Sequence, residues 1–116
     1  MSKAEQQFLN AWRLYGIPDS DPVSQYSIEG CKSDANRTYK FDFAWPLVKI
    51  AIEIDGHGYG HVTPKGRSNS ATKARRAMIL GWTVIPITTT CMSSKAKLEQ
   101  VCEEVSKIVF SKGVYD

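Results

Sequence analysis

Apolar side chains recur along this chain with a helical period in some segments and an alternating period in others. The first helical set lies near the N-terminus and consists of Phe8, Leu9, Trp12 and Tyr15. Ser2 followed three residues later by Glu5 is typical of a capping box, and Gly16 interrupts the helical spacing. The pattern therefore predicts a first helix from about residue 3 to residue 15.

The middle of the chain contains a polar segment followed by two alternating ones. Segment 17–37 is rich in Asp, Ser, Pro and Asn, which predicts mostly loop with a short strand near Tyr26 to Ile28. Residues 40–45 and 49–55 alternate and predict a hairpin that turns at Leu47-Val48. Its aromatic face opposes three isoleucines, in the pairs Trp45 with Ile50, Phe43 with Ile52 and Phe41 with Ile54.

The same register sets two carboxylates directly against each other. Asp42 faces Glu53, beside the alanines Ala44 and Ala51, which leave room near the acids. Like charges in facing positions cost up to about 1 kcal/mol. Because clustered oxygen ligands are the usual cage of a divalent cation, the hairpin predicts a bound metal at Asp42 and Glu53. The alternative for both residues is a solvent-facing position on a half-exposed hairpin.

The second half of the chain predicts a strand between two helices. Four glycines and one proline in residues 56–66 predict a loop. A helix follows over 71–80, capped by Ser70 and ended by Gly81. Residues 83–88 then predict a buried strand, in which Pro86 indicates an edge position or an end of pairing.

The last helix follows two serines at positions 93 and 94. Its apolar face comprises Leu98, Val101, Cys102, Val105, Ile108 and Val109. The predicted order is helix, strand, strand, helix, strand, helix. A right-handed crossover makes the strand at 83–88 parallel to the one at 49–55. The chain is therefore expected to form a single α/β domain over residues 1–116, with a mixed β-sheet flanked by helices.

Composition narrows the class of protein. The 116 residues, of which 42% are hydrophobic, are enough for one core. No apolar run reaches the roughly 18 residues of a membrane span, and the N-terminus has no signal-peptide pattern. Three widely spaced cysteines without zinc-type spacing favour reduced thiols in a cytosol, with Cys102 in the core.

Charge is distributed unevenly along the chain. The net charge of +3 permits a nucleic-acid partner without requiring one. A basic cluster without intervening acids comprises Lys65, Arg67, Lys73, Arg75 and Arg76. Four of these, Lys65, Arg67, Arg75 and Arg76, together with Tyr59, suit contacts to DNA phosphates, and a solubilising surface is the simpler alternative. Trp12, Trp45 and Trp82 lie in periodic apolar contexts, which predicts core positions rather than base stacking.

The order of motifs between residues 41 and 82 resembles the PD-(D/E)XK nuclease superfamily, and within it small very-short-patch-repair-like and phage-encoded endonucleases. The matching elements are Phe-Asp-Phe-Ala-Trp-Pro at 41–46, Ile-Glu-Ile-Asp-Gly at 52–56, His61, and Lys73 eight residues before Gly81-Trp82. The likeness covers about residues 2–90. It implies a restriction-endonuclease-like fold. The chain departs from the pattern at two positions: Asp55 replaces the usual lysine, so that the resemblance implies Lys73 in its place, and Ser70 stands where an acid often precedes this lysine by three residues.

The resemblance implies a role for each residue around the acids. Asp42 and Glu53 would bind Mg²⁺ or Mn²⁺, together with the carbonyl of Ile54. Asp55 would bind a second metal or pair with Lys40. Lys73 would orient the attacking water or stabilise charge on the phosphorus, and a solvated helix lysine is the alternative.

For two further residues, Glu5 and His61, a role without chemistry is the alternative to a role in catalysis. Related nucleases place a glutamate of the N-terminal helix at the metal site, which would be Glu5, although the capping box explains this residue without chemistry. His61, in preference to His57, would transfer a proton or contact a phosphate, and simple exposure is the alternative. Neither histidine has a thiolate at zinc-ligand spacing.

With this resemblance, the residues predict a Mg²⁺-dependent endonuclease that hydrolyses DNA phosphodiesters in repair, recombination or phage DNA processing, in the cytosol of a bacterium or a phage-infected host, as a monomer or homodimer. A dimeric Holliday-junction or branched-DNA resolvase is one alternative. A nuclease scaffold that binds DNA without cutting it is another, favoured by the absence of a lysine at position 55. Recognition of DNA shape is expected rather than sequence reading, because no helix rich in Arg, Asn and Gln is evident.

Overall fold

The first helix begins and ends where the sequence predicts. The structure, a computed structural model, describes residues 1–55 and 64–112, except for the side chains of residues 64–69. Helix α1 spans Lys3–Tyr15, and the Ser2 hydroxyl accepts a hydrogen bond from the Glu5 amide at 3.1 Å. Gly16 ends the helix, and a β-carbon there would overlap the Trp12 ring. The stop at glycine is therefore also a packing requirement.

Among the described residues, four strands form one mixed sheet in the order β1-β2-β3-β4. Its antiparallel part consists of β1 (Val23–Lys32), β2 (Thr38–Trp45) and β3 (Ile50–Asp55). Strand β4 (Thr83–Thr88) runs parallel to β3 and lies at the edge, as Pro86 and the crossover predict. Helix α2 (Pro64–Ile79) connects β3 to β4, and helix α3 (Lys95–Ser111) follows β4. The α/β class and the mixed sheet are confirmed.

Different helices cover the two faces of the sheet. Helices α1 and α3 pack on one face, in a cluster that includes Phe8, Trp12, Phe43, Ile52, Cys102 and Val105. Helix α2 packs on the other face through Ala77, against a set that includes Ile28, Cys31, Phe41, Ala44 and Trp82. All three tryptophans are buried, with exposed fractions of 1%, 3% and 9%, and Cys102 lies in the core, as predicted. Within the described ranges, no helix has the length and apolarity needed to cross a membrane.

The first strand is longer than the sequence pattern predicts. Segment 17–37 was expected to be mostly loop, yet β1 occupies Val23–Lys32. Two residues in left-handed conformations, Gln25 with φ 50° and Gly30 with φ 84°, and a register shift between Ser27 and Lys32 interrupt its alternation. A strand broken in this way loses its period-two signal. The order is therefore helix, three strands, helix, strand, helix.

Helix α2 begins seven residues earlier than predicted, at Pro64 rather than position 71. Proline suits the first turn of a helix because that turn leaves its amides unpaired. Ser70 consequently lies inside the helix and does not cap it. The predicted end is correct: Gly81 has φ 88°, and the amides of Gly81 and Trp82 donate to the carbonyls of Met78 and Ala77 in a Schellman arrangement.

Strand β4 and helix α3 lie where the sequence predicts them, but β4 is less buried than predicted. Strand β4 has the predicted bounds, yet of its six residues only Ile87 is fully buried, which is typical of an edge strand. Helix α3 begins after Ser94, whose hydroxyl accepts a hydrogen bond from the Lys97 amide at 3.2 Å. Its buried residues belong to the predicted apolar face.

Candidate active site

The predicted pairing of β2 with β3 is correct near the turn, and the described pairing stops just before Asp42 and Glu53. Strands β2 and β3 pair Trp45 with Ile50, Ala44 with Ala51 and Phe43 with Ile52, as expected. The expected next step, Phe41 with Ile54, is not part of the described pairing. Instead the Ile54 amide donates to Oδ2 of Asp42 at 2.7 Å. The Asp42 carboxylate thus takes the place of a backbone acceptor, at the point where the two strands separate.

A change of face in β2 accompanies this separation. Phe43 packs under α1 and α3, whereas Phe41 packs with Tyr26 under α2, so the prediction that both phenylalanines share one face is wrong. The change occurs in β1 and β2 together, at the level of Gln25 and Asp42. Gln25 has φ 50°, a conformation uncommon outside glycine, and so marks an irregular backbone at the level where Phe41 and Phe43 take opposite faces.

Helix α2 brings Lys73 to Glu53 of β3. The Lys73 Nζ lies 3.0 Å and 2.9 Å from the two carboxylate oxygens of Glu53, and 4.5 Å from the centre of the Phe41 ring. The exposed fractions of the two side chains are 14% for Lys73 and 20% for Glu53. Because Phe41 faces α2, its ring supports the ammonium through a cation–π contact. The lysine that the family resemblance singled out therefore lies beside the acids.

Helix α1 supplies a further carboxylate. Oε1 of Glu5 accepts a hydrogen bond from Nε2 of Gln25 at 2.6 Å, and the charge of Glu5 acts on Asp42. The Glu5 amide serves the helix cap while its carboxylate faces the acids, so the capping role and a site role are compatible. Sequence reasoning missed Gln25, because it lies in a segment predicted as loop and its positive φ leaves no mark in the sequence.

Burial raises the pKa of two carboxylates of this group, Glu53 and Asp42. It raises the pKa of Glu53 from the ordinary 4.5 to about 7; the Lys73 ammonium lowers this pKa, and the charges of Asp42 and Asp55 raise it. Burial also raises the pKa of Asp42, against the effect of the Ile54 amide and with further increases from Glu5 and Asp55. Among the described side chains, the Lys73 ammonium thus acts on both Asp42 and Glu53 while the charges of Glu5 and Asp55 oppose it, an arrangement found at functional sites.

The donor set fits a divalent cation that retains water ligands. Mg²⁺ is commonly bound through one or two carboxylates and several waters, and Asp42 and Glu53 supply two carboxylates. The Ile54 carbonyl faces the same neighbouring strand as its amide, which is the side of Asp42. Across the part of the chain that the structure describes, no three His, Cys, Asp or Glu side chains are grouped closely enough to form a complete metal cage. Water or substrate oxygens would therefore complete the coordination.

Asp55 lies at the end of β3, near both Asp42 and Glu53, and its charge raises the pKa of each. Its expected partner Lys40 lies opposite Ser27 in the pairing of β1 with β2. The ion pairs found among the described residues do not include Lys40 with Asp55. Of the two roles predicted for Asp55, the ion pair with Lys40 is therefore not formed among the described residues, and the role at a second metal stays a prediction.

The residues predicted to contact DNA divide into three groups. Arg76 is engaged within the protein, because its guanidinium donates to the Lys32 carbonyl at 2.8 Å and to Asp34 at 2.7 Å. Arg75 is exposed and donates to the Thr72 hydroxyl. The others are not described in full: Tyr59 and His61 lie outside the described residues, and only the backbone of Lys65 and Arg67 is described, within α2.

Comparison with known proteins finds relatives without an assigned activity. Two uncharacterized proteins of Mycobacterium tuberculosis, one from strain CDC 1551 / Oshkosh and one from strain ATCC 25618 / H37Rv, are each 32% identical over 73 residues, which is 63% of this chain. The chain spans 25% of the length of these relatives. No family model matches the chain, and no solved structure matches it.

Proposed function

We propose that this chain is a Mg²⁺- or Mn²⁺-dependent endonuclease that hydrolyses phosphodiester bonds in DNA. The observation that carries the proposal is the convergence of Asp42 and Glu53 where β2 separates from β3, with Lys73 hydrogen-bonded to Glu53. A divalent ion bound by the two carboxylates would stabilise charge on the phosphate and lower the pKa of a bound water. The resemblance of these three residues to the nuclease superfamily supplies the substrate class.

Lys73 has the position of a group that acts on a phosphate. Its side chain is 14% exposed, and its ammonium lies 4.5 Å from the centre of the Phe41 ring. A cation in such a partly desolvated place stabilises a nearby anion more strongly than the same cation in water. Once Glu53 is neutralised by another cation, Lys73 would be released to hydrogen-bond a phosphate oxygen or to orient the attacking water. Gln25 would hold the Glu5 carboxylate beside Asp42 in the same process.

Cleavage of supercoiled plasmid DNA tests the proposal. The purified chain is expected to nick or linearise the plasmid with Mg²⁺ or Mn²⁺ and not with EDTA. Asp42→Asn and Glu53→Gln preserve side-chain shape, and each should lower the cleavage rate on the order of 100-fold or more, because each removes charge stabilisation at the reacting centre. Glu103→Gln, at an exposed glutamate of α3, is the matched control and should cleave normally. Full activity in both site variants would overturn the proposal.

Lys73→Met separates the role of the ammonium from that of its carbon stem. Methionine keeps an apolar chain over Phe41, so the variant should fold, bind Mn²⁺ and cleave slowly. Circular dichroism checks the fold, and isothermal titration with Mn²⁺ checks metal binding. Unchanged cleavage would mean that another basic group acts on the phosphate.

A DNA-binding scaffold without catalysis is the second candidate, and one contact favours it. Lys73 engages both carboxylate oxygens of Glu53, and a persistent internal ion pair of this kind would compete with a metal. This candidate predicts that DNA binding is unchanged by EDTA and by Asp42→Asn, and that neither metal supports cleavage. Metal-dependent cleavage that Asp42→Asn abolishes would exclude it.

A further inference from the structure

The hairpin of β1 and β2 carries exposed cations that the proposed catalytic site does not use. In the described pairing β3 contacts β2 only at residues 43–45, while β1 and β2 remain paired as far as Lys32 and Thr38. The far part of the hairpin, residues 26–41, therefore extends past the rest of the sheet as a two-stranded ribbon. Lys32, Arg37 and Lys40 are exposed along it.

One face of this ribbon is buried and the other is not. The buried face packs under α2 through Tyr26, Ile28, Cys31, Tyr39 and Phe41. The residues that alternate with these along β2 are Thr38 and Lys40, which lie opposite Lys32 and Ser27 of β1. All four are exposed. Two lysines and two hydroxyl residues thus make up the outer face of the ribbon, together with the exposed Glu29.

The positive charge of the ribbon is not compensated by its own acids. Asp34, the acid of the tip, is bound to Arg76 of α2 at 2.7 Å. Lys32, Arg37 and Lys40 take part in none of the ion pairs found in the described ranges. Because Arg76 neutralises Asp34, the three cations are opposed on the ribbon only by Glu29.

The ribbon is also held rigidly. Arg76 donates to the Lys32 carbonyl at 2.8 Å as well as to Asp34, which ties the tip to α2. Within the tip, the Ser33 amide donates to the Arg37 carbonyl at 2.9 Å, and the Arg37 amide donates to the Ser33 hydroxyl at 3.2 Å. Cations on a preorganised support bind a partner with a smaller loss of conformational entropy.

We propose that the outer face of this ribbon binds the phosphate backbone of duplex DNA next to the cleaved bond; this inference rests on the proposed function. Alternate residues of a strand are about 7 Å apart, so Lys40 lies one such step from Asp42 along β2, and Lys32, which pairs with Thr38, lies about one step further. A DNA strand whose reacting phosphate lies at Asp42 would place its flanking phosphates beside these cations. A two-stranded ribbon also has dimensions that the major groove admits.

Binding of a short fluorescein-labelled DNA duplex, measured by anisotropy in EDTA, tests this contact without cleavage. The double variant Lys32→Gln/Lys40→Gln is expected to bind about 25-fold more weakly at 0.15 M salt, from about fivefold per phosphate contact, and the slope of log affinity against log salt should fall by about 2. Lys95→Gln/Lys107→Gln removes the same charge from exposed positions of α3 and serves as the matched control. Circular dichroism confirms that both variants are folded.

The outcomes separate this inference from the proposed function. Equal weakening in the ribbon and control variants would overturn the ribbon contact and leave the catalytic proposal in place, as judged by plasmid cleavage. Ribbon-specific weakening without cleavage by the wild type under either metal would support the ribbon contact and overturn the catalytic proposal. Absence of duplex binding by the wild type would overturn the ribbon contact.

Discussion

At the scale of single residues, the orientation of Phe41 determines the surroundings of Lys73. Had Phe41 remained on the face of Phe43, its ring would not support the ammonium that binds Glu53. The left-handed backbone of Gln25 coincides with this reversal, and the side chain of the same residue holds Glu5. A residue in an unfavourable conformation thus lies beside the candidate site and hydrogen-bonds one of its carboxylates, which is where strained residues often occur.

The raised pKa of Glu53 predicts a pH dependence of stability in the metal-free protein. Between the ordinary 4.5 and about 7, the folded protein binds more protons at Glu53 than the unfolded chain does. The free energy of unfolding should therefore fall as pH rises through this window, by on the order of 3 kcal/mol for Glu53 alone. Glu53→Gln should flatten this decline without abolishing it, because the pKa of Asp42 is raised in the same direction.

Urea unfolding in EDTA at pH 5 and pH 8 measures this effect in the wild type and in Glu53→Gln. Glu103→Gln is again the control, because it removes an exposed carboxylate of the same length. A decline in Glu53→Gln as steep as in the wild type would assign the titration to other groups.

At the scale of elements, helices α1 and α2 position Glu5 and Lys73 next to the acids of the sheet. The indole nitrogens of Trp12 and Trp45 both donate to the Ser20 carbonyl, at 3.1 Å and 2.6 Å. These bonds tie the segment after α1 to β2 and so define where Glu5 lies relative to Asp42. Helix α2 is anchored at its C-terminal end by the Schellman arrangement at Gly81, eight residues after Lys73.

Substitution at Gly81 tests this anchor. Gly81 has φ 88°, and an added β-carbon would meet only the Lys49 Nζ at 3.9 Å, so the cost of a side chain lies in the backbone. Gly81→Ala should lower the free energy of unfolding by about 1 kcal/mol or more, and Gly81→Asn should cost less because asparagine tolerates this conformation better. Urea unfolding at one pH compares the two. Equal stability of wild type and Gly81→Ala would contradict the left-handed helix end.

At the scale of the whole molecule, the proposed metal site couples ion binding to folding. A ligand that binds only the folded state stabilises it by about 2.7 kcal/mol at a concentration 100 times its Kd. Mn²⁺ should therefore raise the melting temperature of the wild type progressively, by about 10 °C at that ratio. The increase should be smaller at pH 6 than at pH 8, because protons compete with the ion for Glu53.

Differential scanning fluorimetry over a series of Mn²⁺ concentrations measures this coupling. Asp42→Asn should show little of the increase, and Glu103→Gln should show all of it. An increase of the same size in all three proteins would indicate ion binding elsewhere on the surface.

Local sequence patterns determined much of the frame. Helical periodicity and capping gave the bounds of α1 and the start of α3, since both depend on neighbours within a few residues. Alternation and the turn gave the β2–β3 register from Phe43 to Trp45, and chain handedness gave the parallel direction of β4. Asp42, Glu53 and Lys73 were identified from the sequence as belonging together, and the structure places them together.

Only the tertiary structure decided the features that depend on distant contacts. Strand β1 forms because it pairs with β2 despite its irregular backbone, and its composition alone predicts a loop. The hydrogen bond from Gln25 to Glu5 and the ion pair of Asp34 with Arg76 each join residues that are far apart in the chain. The change of face at Phe41 occurs where the strands depart from regular geometry. Periodicity reports which residues are near in sequence and which side they face in a regular strand. It carries no information about where a strand departs from regularity or which charge a distant helix will meet.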